Sequence, residues 1–101
     1  MSVNRNKPDL DELCRAIVCL RTPEEAAAFL EDICTLNEMT ALAQRFRVAA
    51  LLNGGEQYLR IVRDTGVSSA TISRVNRCLK CGDGYRIVLD RMASEETEKQ
   101  D

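Results

Sequence analysis

Histidine is absent from the 101 residues, and so is tryptophan. Without an imidazole there is no general base of the commonest kind. A structural zinc site would need four ligands with no help from histidine. Proline occurs twice, glycine five times, and the aromatics are two Phe and two Tyr. A chain poor in breakers and aromatics, with its apolar content mostly in Ala, Leu, Val and Ile, favours an all-helical domain. No apolar run approaches the roughly 20 residues that span a bilayer. The start, MSVNRNKPDLDEL, turns acidic without an apolar stretch and does not read as a secretory signal; the expected location is the cytoplasm, with no membrane partner. Asp9, Asp11 and Glu12 read as the acidic first turn of a helix rather than a catalytic pair. Gly82-Asp83-Gly84 reads as a turn, since no phosphate-cradling motif surrounds it. Enzyme readings fall away.

What is present fits one small domain. Apolar residues make up 45% of the chain, a globular rather than disordered composition. A subunit of this size has little core to spare, so a core shared with a second copy is expected. The five cysteines (Cys14, Cys19, Cys34, Cys78, Cys81) are an odd set. Most fall on apolar helical faces and read as reduced, buried thiols of a cytosolic protein. Cys78-Leu79-Lys80-Cys81 is a C-x-x-C. Cys14, Cys19 or Cys34 would have to complete a zinc site with it, and the strand-turn-helix setting of a redox motif is missing. No metal is therefore assigned.

The formal net charge is −2, but it is unevenly spread. Residues 1–55 carry six Lys/Arg against eight Asp/Glu, residues 56–80 five against two, and residues 81–101 three against six. Only the middle segment is basic, and phosphate binding follows the local field rather than the total.

The helical pattern begins at Asp9, with Leu10, Leu13, Ile17 and Leu20 at three- and four-residue spacing, and should end near Arg21. Thr22-Pro23-Glu24-Glu25 starts a second helix to about Cys34 by cap, first-turn proline and capping box. Thr35 caps a third, with Leu36, Met39, Leu42, Ala43, Phe46 and Ala50 as its apolar stripe and Asn53-Gly54-Gly55 as its end. A fourth, about Glu56 to Thr65, should bury Leu59 and Val62, with Tyr58 and Ile61 as further candidates. Gly66 supplies a positive φ for a tight turn, and Val67 points inward. Ser68 or Ser69 caps a fifth helix to about Lys80, packing Ala70, Ile72, Val75 and Leu79. A last helix runs from Tyr85 to about Ala93, with Ile87, Val88, Leu89 and Met92. The domain map is a frayed 1–8, a helical core over 9–93 with the head at 56–80, and a disordered acidic tail at 94–101. There is no internal repeat. Apolar residues on more than one face of the first, third and last helices predict an interleaved homodimer.

Residues 57–80, QYLRIVRDTGVSSATISRVNRCLK, form a helix-turn-helix pattern, a device that places its second helix in the major groove of double-stranded DNA. The reading residues expected are Ser68, Ser69, Ala70, Thr71, Ser73, Arg74 and Arg77. The short side chains allow close approach, and their hydroxyls reach bases or phosphates. The N–H groups at the helix start attract phosphate, and Arg74 and Arg77 can reach guanine or phosphate. The blander reading is that the hydroxyls cap and the arginines are solvated. A rival from another class is a protein-interaction module whose basic helix docks an acidic partner. A third is a DNA-associated subunit of an enzyme.

ALAQRF followed by TGVSSATISRVNRCLK resembles the Trp repressor family of bacterial regulators, and the resemblance spans roughly Asp9 to Met92. It implies six helices in an intertwined homodimer acting as a transcriptional repressor on a palindromic operator. It also implies a small-molecule co-repressor between the third and fifth helices. Arg74 matches the arginine on the recognition helix that brackets the ligand, and Arg45, or Arg47, the other. Thr35 matches the threonine at the start of the third helix. Two positions depart: Val75 stands where the family has a glycine that makes room for the indole, and Cys78 where it has a serine that binds the ligand's amino group. A branched side chain and a poor acceptor at these positions argue against L-tryptophan as the effector.

Overall fold

The computed structural model describes residues 7–99, which form six helices: α1 (Lys7–Val18), α2 (Pro23–Ile33), α3 (Leu36–Asn53), α4 (Tyr58–Thr65), α5 (Ser69–Cys81) and α6 (Gly84–Lys99). There is no strand among the described residues. The chain divides into two compact units, one ending at Met39 and one beginning at Thr40.

In the first unit, α1 begins at Lys7, with Pro8 in its first turn; proline fits there because the first helical N–H groups have no partner to lose. Lys7 and Pro8, expected to be frayed, are therefore helical; residues 1–6 lie outside the described residues. The helix ends at Val18 in tight turns, Cys19 N–H donating to the Ala16 carbonyl and Leu20 N–H to that of Ile17, each at 3.1 Å. α2 starts as the sequence predicts: the Thr22 hydroxyl accepts from Glu25 N–H at 3.1 Å. Glu25 reaches back to Arg21 N–H at 2.9 Å. Thr35 and Glu38 form a reciprocal capping box ahead of α3, at 3.1 and 2.8 Å. Such caps contribute about 0.5–2 kcal/mol each.

The second unit holds the core: Val48, Ala49, Ile61, Val67, Ile72 and Val75. α5 packs on α4 and on α6. α3 gives this core Val48 and Ala49, both fully buried, with Leu51 and Leu52 partly buried against it. That differs from the predicted stripe, of which Phe46 and Ala50 are half-buried and Leu42 and Ala43 exposed. α3 carries two apolar faces, and periodicity alone did not choose between them. In α4 Ile61 is fully buried and Val62 and Thr65 are half-buried, while Leu59 is 84% exposed and Tyr58 is also exposed. Ala70, expected to pack, is exposed on α5.

Gly66 ends α4 in the left-handed region at φ 73°. The Thr65 hydroxyl donates to the Ile61 carbonyl at 2.7 Å and accepts from Val67 N–H at 3.1 Å. These bonds steer Val67 into the core, where it is 6% exposed.

α6 continues to Lys99, past the predicted end. The segment Ser94-Glu95-Glu96-Thr97-Glu98-Lys99 contains no breaker and is rich in good helix formers. The Thr97 hydroxyl donates to the Ala93 carbonyl at 3.1 Å. Residues 94–99 are thus helical rather than a disordered tail, and 100–101 lie outside the described residues. The cysteine expectation also needs correcting. All five are free thiols, Cys34 is half-buried, and Cys14, Cys19, Cys78 and Cys81 are exposed.

Candidate nucleic-acid interface

α5 is amphipathic in a way that fixes its orientation. Ile72, Val75 and Leu79 are buried. Ala70, Ser73, Arg74 and Arg77, at spacing i, i+3, i+4, i+7, are exposed, as is Ser69. The face opposite the core is therefore made of short side chains at the N-terminal end and two guanidiniums about one turn further on. The helix start is tied down locally. The Ser68 hydroxyl accepts from Thr71 N–H at 3.2 Å and donates to the Thr71 hydroxyl at 3.1 Å. Ser68 is thus the N-cap, and Thr71 is half-buried beside it. Of the seven residues expected to read DNA, five lie on the open face, and Ser68 and Thr71 form the cap that holds it.

The charges divide in a similar way. Arg60 on α4 lies between Glu56 and Asp64, 3.6 Å from each. These exposed pairs are weak, but they place two carboxylates beside that guanidinium. Arg74 and Arg77 have no ion pair among the described residues. Arg63 on α4 and Lys80 at the end of α5 are likewise exposed and without an ion pair among the described residues, so the outer face of α5 carries two of the four free cations of the head.

Behind that face lies a cleft of about 420 Å³ lined by Arg45, Thr71, Arg74, Val75, Cys78 and Tyr85. Four of the five residues expected to meet an effector (Arg45, Arg74, Val75 and Cys78) line it together. Arg45 rather than Arg47 belongs here, because Arg45 lines the cleft and Arg47 does not. Thr35 belongs to the first unit, where its hydroxyl is engaged in the α3 capping box. A second, mostly apolar cleft of about 510 Å³ is lined by Phe46, Cys78, Gly82, Gly84, Tyr85 and Val88. Cys78 and Tyr85 line both clefts. Tyr85, whose ring centroid is 6.5 Å from that of Phe46, escaped the sequence reading. It begins a helix, and only the contact with Phe46 of α3 reveals its position. Among the described residues, no group of three His, Cys, Asp or Glu side chains could hold a metal ion. No helix there is long and apolar enough to cross a membrane.

This six-helix arrangement with an α4–turn–α5 head matches the Trp repressor protein family over residues 8–93. The chain belongs to the Trp repressor family. It is 48% identical over 91 residues to a protein of Bacillus subtilis described as uncharacterized protein YerC, covering 89% of this chain and 88% of that one. A crystal structure of a TrpR-like protein from Eubacterium eligens superposes with a TM-score of 0.82 at 46% identity, over 90% of this chain and 96% of the other. A Trp repressor candidate from Staphylococcus aureus gives 0.80 at 44% identity, over 91% and 96%. Family membership points to DNA-binding transcription regulation, on a regulatory rather than an enzymatic fold.

Proposed function

We propose that this protein is a homodimeric, sequence-specific transcriptional repressor that reads a palindromic operator with the outer face of α5. The observation that carries the reading is the division of α5. Ile72, Val75 and Leu79 anchor it in the core, and Ser69, Ala70, Ser73, Arg74 and Arg77 stand open on the other side. Ser68 and Thr71 cap the helix start, and in this reading their hydroxyls contact the phosphate backbone rather than bases.

The dimer follows from apolar surface that a lone chain leaves wet. Leu10 is 57% exposed, Val18 82%, Leu36 73%, and Ile17, Ile87 and Met92 each 48%. That much exposed aliphatic surface in each unit marks surface for association, and a second copy of the chain is the simplest cover. Two heads related by a two-fold axis read half-sites about 34–36 Å apart.

The cleft of Arg45, Arg74, Val75 and Cys78 is where an effector would act on the head. Val75 is 2% exposed and part of the core, so its branched side chain occupies space that a flat indole would require. The effector is accordingly a small molecule other than L-tryptophan. Selection of bound duplexes from a random pool, with and without a panel of amino acids, tests both parts. Enrichment of a palindrome supports the reading. Retention with no sequence preference, or retention only by acidic proteins, overturns it in favour of a protein-docking module.

A further inference from the structure

We propose that Cys78 is a thiol-modification site that takes a mixed disulfide from an anionic low-molecular-weight disulfide held by Arg45 and Arg74, with Cys81 as the resolving thiol. The assignment does not depend on how DNA is read.

Two separate observations meet at Cys78. It is a free, exposed thiol, and it lines a cleft with two guanidiniums, Arg45 and Arg74. No carboxylate is among the lining residues of that cleft, whose other members are Thr71, Val75 and Tyr85. Clustered cations in a concave site raise the local concentration of anions, and Arg pairs with carboxylates in a fixed fork. A disulfide carrying carboxylates would therefore be drawn to the wall that holds the Cys78 sulfur. Cys14 and Cys19 are equally free and exposed, but they lie on and just after α1, outside this cleft. They report thiols outside the cleft, and cystamine on Cys78 itself is the control for plain accessibility.

The chemistry balances without any group that the reagent does not bring. Cys78 loses its proton to solvent, and its thiolate attacks one sulfur of the small disulfide. The S–S bond of the reagent breaks, a new S–S bond joins Cys78 to one half, and the other half leaves as a thiolate that takes up a proton. Cys81 follows one helical turn later, a spacing that puts both side chains on one side of α5. It too is exposed and is the last residue of the helix, followed by Gly82 as C-cap. Its thiolate attacks the Cys78 sulfur and releases the second half as a thiol. The protein dithiol is oxidised to a Cys78–Cys81 disulfide, and the reagent is reduced to two thiols. The closure strains the turn in which Gly82 N–H donates to the Cys78 carbonyl at 2.9 Å. It also acts beside the Arg86 guanidinium that donates to the Leu79 carbonyl at 3.0 Å, at the junction of α5 and α6.

The experiment compares oxidised glutathione, which is anionic, with cystamine, which is cationic, on the full chain and its Cys81→Ser variant. Rates are followed by intact mass and sites by peptide mapping. The expected result with Cys81→Ser is a stable glutathione adduct at Cys78, formed at least tenfold faster than adducts at Cys14 or Cys19. Cystamine should show no such preference. Arg45→Ala with Arg74→Ala should remove the preference while circular dichroism reports an unchanged helix content. The chain with both cysteines should proceed to the Cys78–Cys81 disulfide. Equal rates at Cys78 and Cys14, or a cystamine rate at Cys78 matching that of glutathione, overturns the assignment. An adduct at Cys78 that persists equally with and without Cys81 overturns the resolving step.

Discussion

The two units of this chain solve the burial problem differently. From Thr40 on, three helices enclose a small aliphatic core in which Val48, Ala49, Ile61 and Ile72 are fully covered. Before Met39, neither α1 nor α2 contains a buried residue, although both are amphipathic and α2 is capped at both ends. Capping and periodicity make a helix; they do not supply its cover. The unit that carries the head has its own packing to hold α5 in place. The other offers Leu10, Ile17, Val18 and Ile33 as exposed aliphatic surface, which is the form expected of a segment completed by association.

The sharpest way to break this contrast is in the core. Ile72→Ala removes a fully buried side chain from α5 and should cost about 2–5 kcal/mol, read as a lower urea midpoint. Next is the pair Leu10→Ser and Ile17→Ser. On a lone chain these changes would be mild, but on a dimer each forfeits up to about 1.5–3 kcal/mol of covered side chain. Sedimentation should show a shift from dimer to monomer at micromolar concentration, and an unshifted dimer would place the interface elsewhere. Thr35→Ala removes the hydroxyl half of the α3 capping box and should cost about 0.5–2 kcal/mol, read by thermal melting. Leu59→Ser is the smallest. The side chain is 84% exposed, and the stability change should stay within about 0.5 kcal/mol; a larger loss would mean that Leu59 is covered in solution.

Much of this was legible in residues, for physical reasons that can be named. Thr22-Pro23 and Thr35–Glu38 mark helix starts because a helix N-terminus has N–H groups that only such side chains satisfy. Gly66 marks the turn because the left-handed region penalises any Cβ. Ser73, Arg74 and Arg77 could be set on the open side of α5 because they are polar and share one helical face, whereas Ala70, expected to pack, is exposed beside them. What stayed hidden depends on tertiary choice. Leu59 and Ile61 are equally apolar, and only packing against α5 decides which turns inward. In α3, Val48 and Ala49 lie on one of two apolar faces, and the sequence shows both. Tyr85 joins the cleft through Phe46, a residue far away along the chain. α6 runs on to Lys99 because Glu, Lys and Ala carry a helix through an acidic composition that resembles disorder.

The central claim is that the open face of α5 reads base sequence. It is tested most directly by titrating the selected duplex and a scrambled duplex, at one fixed salt concentration, with the native protein and with Arg60→Ala, Arg74→Ala and Arg77→Ala. Arg74→Ala and Arg77→Ala should each lose about 1–3 kcal/mol on the selected duplex and narrow its advantage over the scrambled one. Arg60→Ala, whose guanidinium lies between two carboxylates, should leave that ratio unchanged. Full preference retained by both α5 variants would contradict the account.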